Sequence, residues 1–120
     1  MSSSKRPKII DRIEGTGPTV IVSELNGYRS LNFANTLGLV QGVMHTRRPL
    51  EYRSEYFRQQ VAAVFCHPQP ETALFLGLGV GAVPQLCRTI WPNLHVDIVE
   101  IHDTVIQAAR RYFAVPTEPH

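Results

Sequence analysis

The stretch "TALFLGLGVGAVPQ", Thr72 to Gln85, holds the residues best suited to chemistry. An apolar run, Ala73 to Leu76, leads into glycines on alternate positions, Gly77, Gly79 and Gly81, and Pro84 follows where a helix can begin. A strand-to-helix turn without side chains lets a ligand approach the backbone, and free N–H groups at the helix start face its polar or anionic atoms. Glu100 ends the next alternating stretch, "HVDIVE". Both loops then open at one edge of a parallel sheet, where open α/β sheets bind ligands. A carboxylate there can accept hydrogen bonds from both hydroxyls of a ribose. Its spacing from the glycine loop is close to the ~20 residues of a nucleotide-binding β-α-β unit. Gly77-x-Gly79-x-x-Ala82 fits a dinucleotide loop in its alanine form. Gly77-x-Gly79-x-Gly81 fits an adenosylmethionine-dependent transferase loop equally well. The bland alternative is a tight turn with a solvated strand-end carboxylate.

The elements that position these residues follow from pattern. In "TVIVSELNGYRSLNF", β-branched residues precede Asn26-Gly27, a pair suited to a two-residue hairpin turn. After it, Tyr28, Ser30 and Asn32 alternate with Arg29, Leu31 and Phe33. "TLGLVQGVMH" adds a third strand, interrupted by Gly38 and Gly42. Pro49 suits a first helical turn, and Leu50, Phe57, Val61, Val64 and Phe65 fall near helical spacing until Pro68 and Pro70. Strand "ALFL", a helix from about Pro84 to Ile90 and strand "HVDIVE" come next. A last helix, capped by Asp103, carries Val105, Ile106, Ala109, Tyr112 and Phe113. The β-α-β-α order implies parallel strands with a right-handed crossover. The expected fold class is α/β. Residues 1–17 read as a flexible tail, 18–48 as a small antiparallel β-hairpin lobe, and 49–120 as a partial Rossmann-like domain.

Composition narrows the function classes. With 12 basic and 10 acidic residues among 120, the net charge of +2 is too even to argue for nucleic acid or an anionic membrane. No segment is long or apolar enough to span a bilayer, and "MSSSKRPK" lacks the apolar stretch of a secretory signal. Cys66 and Cys87 lack metal-type spacing and read as buried free thiols of a reducing cytoplasm. The five histidines are scattered, which argues against a metal site. His102 reads as a solvated loop residue, with a ligand contact as the alternative. Tyr52, Tyr56 and Phe57 are candidates to line a cleft, Phe57 also lying on the core stripe. Arg110-Arg111 suits a helix C-terminus.

A hairpin lobe, a helix, "CHPQPETALFLGLGVGAVPQL" and "HVDIVEIHDTVIQAARRYF", in that order, resemble the polyamine aminopropyltransferase (spermidine synthase) family. The "HPxP" linker at His67 to Pro70 and the "VEI…VI…RRYF" stretch at Val99 to Phe113 match in order and spacing. The resemblance covers roughly Val20 to Phe113 and is specific in the second half. It implies a small N-terminal β lobe before a Rossmann-like S-adenosylmethionine-dependent methyltransferase fold. It also implies that Gly77, Gly79 and Gly81 line an adenosyl ligand, S-adenosylmethionine or its decarboxylated form. Glu100 would hold the ribose hydroxyls, and Ile101 would lie against the adenine. The chain departs from the family at several points. Val80 stands where the glycine loop normally carries an aspartate for the ligand's amine. His102 replaces an acid, and Arg53-Ser54 falls where polyamine-contacting residues are expected. An expected glutamine has no clear counterpart near Pro18. The family's next strands, with an adenine-binding acid and a catalytic aspartate, would lie beyond His120.

The expected function is that of a spermidine synthase-like transferase domain, moving an aminopropyl or methyl group, truncated before the catalytic acid and with catalytic residues unknown. The expected partners are a small adenosyl ligand and a second copy bound through the β lobe or an open sheet edge. Nucleic acid, membrane and metal are not expected. Two alternatives stand beside this reading. One is a non-catalytic binding or assembly module with a vestigial site. The other is an NAD-binding Rossmann fragment, resting on Ala82 and Glu100.

Overall fold

Asn26 and Gly27 both take positive φ, 52° and 82°, and join β2 (Val20–Leu25) to β3 (Tyr28–Phe33) in a tight antiparallel hairpin. The computed structural model describes residues 5–35, 39–51 and 55–117. The strand expected from "TLGLVQGVMH" is β4 (Val40–His45), paired with β3; Gly38 falls outside the described residues. A further strand, β1 (Lys8–Ile13), pairs antiparallel with β2, so the sheet runs β1-β2-β3-β4. Within the stretch 1–17 expected as a flexible tail, Lys8–Ile13 is thus a strand, and residues 1–4 lie outside the described residues. Only two of β1's residues, Asp11 and Arg12, interrupt an otherwise strand-like run, and its partner supplies the ladder.

The second half follows the expected β-α-β-α order. Helix α1 (Glu55–Val64) precedes β5 (Thr72–Leu76), α2 (Ala82–Ile90), β6 (His95–Val99) and α3 (Asp103–Tyr112). Strands β5 and β6 are parallel, in register from Thr72↔His95 to Leu76↔Val99. Pro49 lies in a turn ahead of α1 rather than in its first turn. Helix α2 starts at Ala82, which keeps Pro84 in the first turn, where its missing N–H costs nothing. Asp103 is the first residue of α3, not its cap: His102 holds the cap position, and the Asp103 carboxylate accepts the Thr104 N–H at 2.9 Å.

Two apolar clusters result. Val61, Val83, Cys87 and Leu94 pack with Ala73, Phe75 and Val96, joining α1 and α2 to one face of the parallel pair. Leu50 and Phe65 lie exposed although they share the expected helical stripe, and Phe65 instead meets the Trp91 ring at 4.7 Å. Cys87 is buried, and burial pushes its thiol pKa up, whereas Cys66 is exposed, contrary to expectation. Leu74 and Leu76 of β5 and Val99 of β6 also face solvent. The second cluster is shared between the two halves of the chain. Ile13, Val20, Val22 and Leu31 of the antiparallel sheet pack with Val105, Ala108 and Phe113 of the α3 segment.

Polar contacts fix α3 on that sheet. Thr104 Oγ1 donates to the Pro18 carbonyl at 2.9 Å. Arg29, ion-paired with Glu24 across the hairpin, donates to the Tyr112 carbonyl at 2.7 Å, at the helix end where a cation is favoured. The Tyr112 hydroxyl donates to Asp11 Oδ2 at 2.7 Å, with Arg111 4.0 Å from the same oxygen. On the far side of the sheet's core face, β4 meets the glycine loop. A Cβ built on Gly42 would lie 2.6 and 2.8 Å from the two methyl carbons of Val80. Val80 is buried and β-branched, so it has little room to turn aside.

Two outcomes follow from these contacts. Gly42→Ala is expected to destabilise the chain by about 1–3 kcal/mol through overpacking, read as a lower denaturant midpoint at unchanged slope. Tyr112→Phe tests the link between the first strand and the last helix. The hydrogen bond from Tyr112, aided by the Arg12 N–H and Arg111, holds the Asp11 carboxyl below its ordinary 3.8. That stabilisation is present above 3.8 and is lost as pH falls through the lowered folded value. The same bond raises Tyr112 above its ordinary 10.0, so on the alkaline side stability is lost as pH rises through the raised value. The Tyr112→Phe variant is therefore expected to melt below the wild type at neutral pH, with the gap closing in strong acid. A gap independent of pH in thermal scans would assign the effect to packing alone.

Candidate functional site

The loop between β5 and α2 turns through three residues with positive φ: Gly77 at 96°, Gly79 at 55° and Gly81 at 71°. Gly77 closes the parallel ladder, its N–H donating to the Val99 carbonyl at 2.7 Å. Gly81 holds the cap position of α2, and a Cβ there would lie 2.4 Å from a Val115 methyl. Any side chain at Gly81 would meet both backbone strain and a steric block.

Glu100 reaches back from the end of β6 to this loop. Its Oε2 accepts the Leu78 N–H at 2.8 Å, and its Oε1 accepts the His102 N–H at 3.0 Å. The carboxylate thus satisfies two loop donors while using only about half of its roughly four acceptor positions. One free lone-pair direction remains on each oxygen, the arrangement needed to accept from two neighbouring hydroxyls.

A cavity of about 320 Å³ opens beside this pair. Gly77, Gly79, Val80 and Glu100 lie on its wall, together with Phe33 of β3, Gln41 of β4 and Tyr56, Phe57 and Gln60 of α1. The fold thus gathers Gly77, Gly79 and Glu100 around one space. Gly81 and the 87% exposed Ile101 lie outside that wall. A wider cleft of about 470 Å³ runs past Arg88, His95 and Val115. Glu100 is not on its wall; it also lines a cleft of about 490 Å³ beside Ile106 and Arg110, but the smaller cavity joins Glu100 to Gly77 and Gly79 and so has the better chemistry. Tyr56 and Phe57 take the cleft-lining places anticipated from sequence; Tyr52, Arg53 and Ser54 lie outside the described residues. Phe33 and Gln41 were missed. The β3 alternation placed Phe33 on the Leu31 face, but only the packing of the sheet on the glycine loop shows what that face meets.

His102 is half-buried, not fully solvated as expected, and it is not part of the cavity wall. Its ring sits edge-on to Phe33 at 6.0 Å, and a Cβ on Gly17 would lie 2.9 Å from its Nδ1. It packs between the antiparallel sheet and the end of β6. Among the described residues, no group of three or more His, Cys, Asp or Glu side chains converges as a metal site. No helix among them is long and apolar enough to cross a membrane.

Comparison with known proteins places this arrangement. No family model matches the chain. A polyamine aminopropyltransferase from Vibrio vulnificus (strain CMCP6) is 35% identical over 96 residues, 78% of this chain. The chain belongs to the polyamine aminopropyltransferase-like family. It spans 32% of the Vibrio aminopropyltransferase's length. The fold agrees. A probable spermidine synthase from Corynebacterium glutamicum superposes with a TM-score of 0.69 at 16% identity, covering 91% of this chain and 41% of that one. Spermidine synthase from Thermotoga maritima gives 0.65 at 17% identity, over 88% of this chain and 34% of that one. The antiparallel sheet followed by the parallel pair with its helices matches the N-terminal lobe and Rossmann-like fold of these spermidine synthase structures.

In this aminopropyltransferase-like chain Glu100 has a structural duty that can be measured without ligand. Glu100→Gln sets an amide NH₂ against one of the two N–H donors. It is expected to cost about 1–3 kcal/mol in urea unfolding. An unchanged midpoint would mean that water replaces the carboxylate at Leu78 and His102.

Proposed function

We propose that this chain is the nucleoside-binding part of a spermidine synthase-like transferase, with an adenosyl ligand in the cavity between the glycine loop and Glu100. The observation that carries the reading is the state of Glu100. Its carboxylate is fixed by two backbone N–H groups and keeps one acceptor direction free on each oxygen. Gly77 and Gly79 let the ligand approach the backbone, Gly81 starts the helix behind it, and Ile101, exposed beside Glu100, offers an apolar surface to the base. The division into a β lobe at 18–48 and a Rossmann-like part at 49–120 belongs to the same reading, with β1 added to the lobe.

An adenosylmethionine-type donor supplies an activated carbon on a sulfonium, which an amine attacks as the carbon–sulfur bond breaks. What this chain's residues do is bind and orient. Glu100 fixes the ribose, the glycine loop sets the distance to the backbone, and Phe33, Tyr56 and Phe57 exclude water. Glu100 is the one ionisable carboxylate among the described residues of the wall, and it is committed to the loop. We assign no base for the amine's proton. Aminopropyl transfer is favoured over methyl transfer by the family relationship. A cytoplasmic location goes with this reading, since the free thiols Cys66 and Cys87 suit a reducing compartment. Pairing with a second copy over the exposed Leu74 and Leu76 is compatible with it.

Thermal unfolding with and without ligand tests the proposal. At a hundred times its dissociation constant, a ligand specific for the folded state adds about 2.7 kcal/mol. Upward shifts are expected with adenosyl ligands and none with NAD, and Glu100→Gln should reduce the adenosyl shift. A shift with NAD alone would favour the dinucleotide reading. A clean transition unmoved by any nucleoside would overturn nucleoside binding.

A further inference from the structure

Two residues of the Glu100 cavity wall are touched by one residue that is not on it. The backbone N–H of His102 donates to Glu100 Oε1 at 3.0 Å. Its imidazole stands edge-on to the Phe33 ring, with centroids 6.0 Å apart and ring planes at 83°. Phe33 ends β3 of the antiparallel sheet, and Glu100 follows β6 of the parallel pair. His102 therefore bridges the two halves of the chain where both meet the cavity.

His102 has little freedom of its own. It holds the cap position of α3, and its carbonyl accepts the Val105 and Ile106 N–H groups at 3.1 and 3.3 Å. Its ring is also crowded by Gly17, where an added Cβ would lie 2.9 Å from Nδ1, 3.4 Å from Cγ and 3.5 Å from the His102 Cβ. The half-buried imidazole is thus held at its base by the helix start and along its side by the Gly17 backbone. An aromatic pair at this separation and angle attracts, positive edge toward negative face. Phe33 is tethered by that contact before any ligand arrives. A wall side chain already ordered removes part of the entropy cost of binding.

We infer that His102 is a positioning residue: its ring fixes Phe33 against the cavity while its backbone fixes Glu100. The inference rests on the nucleoside-binding reading above and adds to that site a residue outside its wall. The two roles can be separated, because a substitution at position 102 removes the ring and keeps the N–H.

Isothermal titration of the full chain with methylthioadenosine tests it, alongside melting of the unliganded variants. His102→Ala is expected to bind about three- to tenfold more weakly than the wild type. His102→Phe, which keeps an aromatic edge, should restore affinity to within about twofold of the wild type. In a Phe33→Leu background, adding His102→Ala should change affinity by less than about twofold, because the ring acts through Phe33. If His102→Ala does not fold, Gly17→Ala makes the same comparison with and without Phe33→Leu, since its methyl displaces the ring and leaves His102 in place. A His102→Ala chain that melts lower yet binds as the wild type does would overturn the inference, leaving the ring a packing role alone. An undiminished loss in the Phe33→Leu background would overturn it as well. Both results leave the nucleoside site standing. No binding of methylthioadenosine by the wild type would overturn both.

Discussion

The two methyl groups of Val80 fill the place where a side chain at position 42 would otherwise stand. Through that contact the fourth strand of the antiparallel sheet rests directly on the glycine loop. The distance between sheet and loop sets how Phe33 and Gln41 face Gly79 and Glu100, and so the width of the cavity. Core packing is dense enough that one added methyl is felt. The cavity therefore inherits its shape from a packing contact whose two partners come from opposite halves of the chain.

Glu100 serves two purposes at once. It ties the end of β6 to the glycine loop through Leu78, and it lies on the cavity wall. Backbone N–H groups of Leu78 and His102 hold its carboxylate in place. Under the proposed reading, a carboxylate held in this way pays little ordering cost on meeting a ligand.

Much of this was legible in the residues. Asn26-Gly27 announced the hairpin, and the alternate glycines after "ALFL" announced the strand-loop-helix unit with its acid at Glu100. These signals are local, because φ > 0 and strand alternation are written within a few residues. What escaped was long-range. β1 reads as a charged tail until Val20–Glu24 supplies its ladder. His102 reads as fully solvated until Phe33 and Gly17 pack against part of its ring. Phe65 fits the helical stripe, yet the stripe's last turn runs past the core, so its ring is left to Trp91. The double use of Glu100 needed the loop's actual path, which no spacing rule supplies.

The link between Asp11 and Tyr112 spans 101 positions in sequence, and those from Thr104 to Pro18 and Arg29 to Tyr112 span 86 and 83. Closing loops of that length is slow relative to forming a hairpin or a single helical turn. On the ribosome, the β2–β3 hairpin can form early, but its apolar face must wait for α3 to be synthesised before it is covered. During that interval Val20, Val22 and Leu31 are open to chaperones and to other nascent chains. The last helix is therefore the step that commits the early sheet to its native partner.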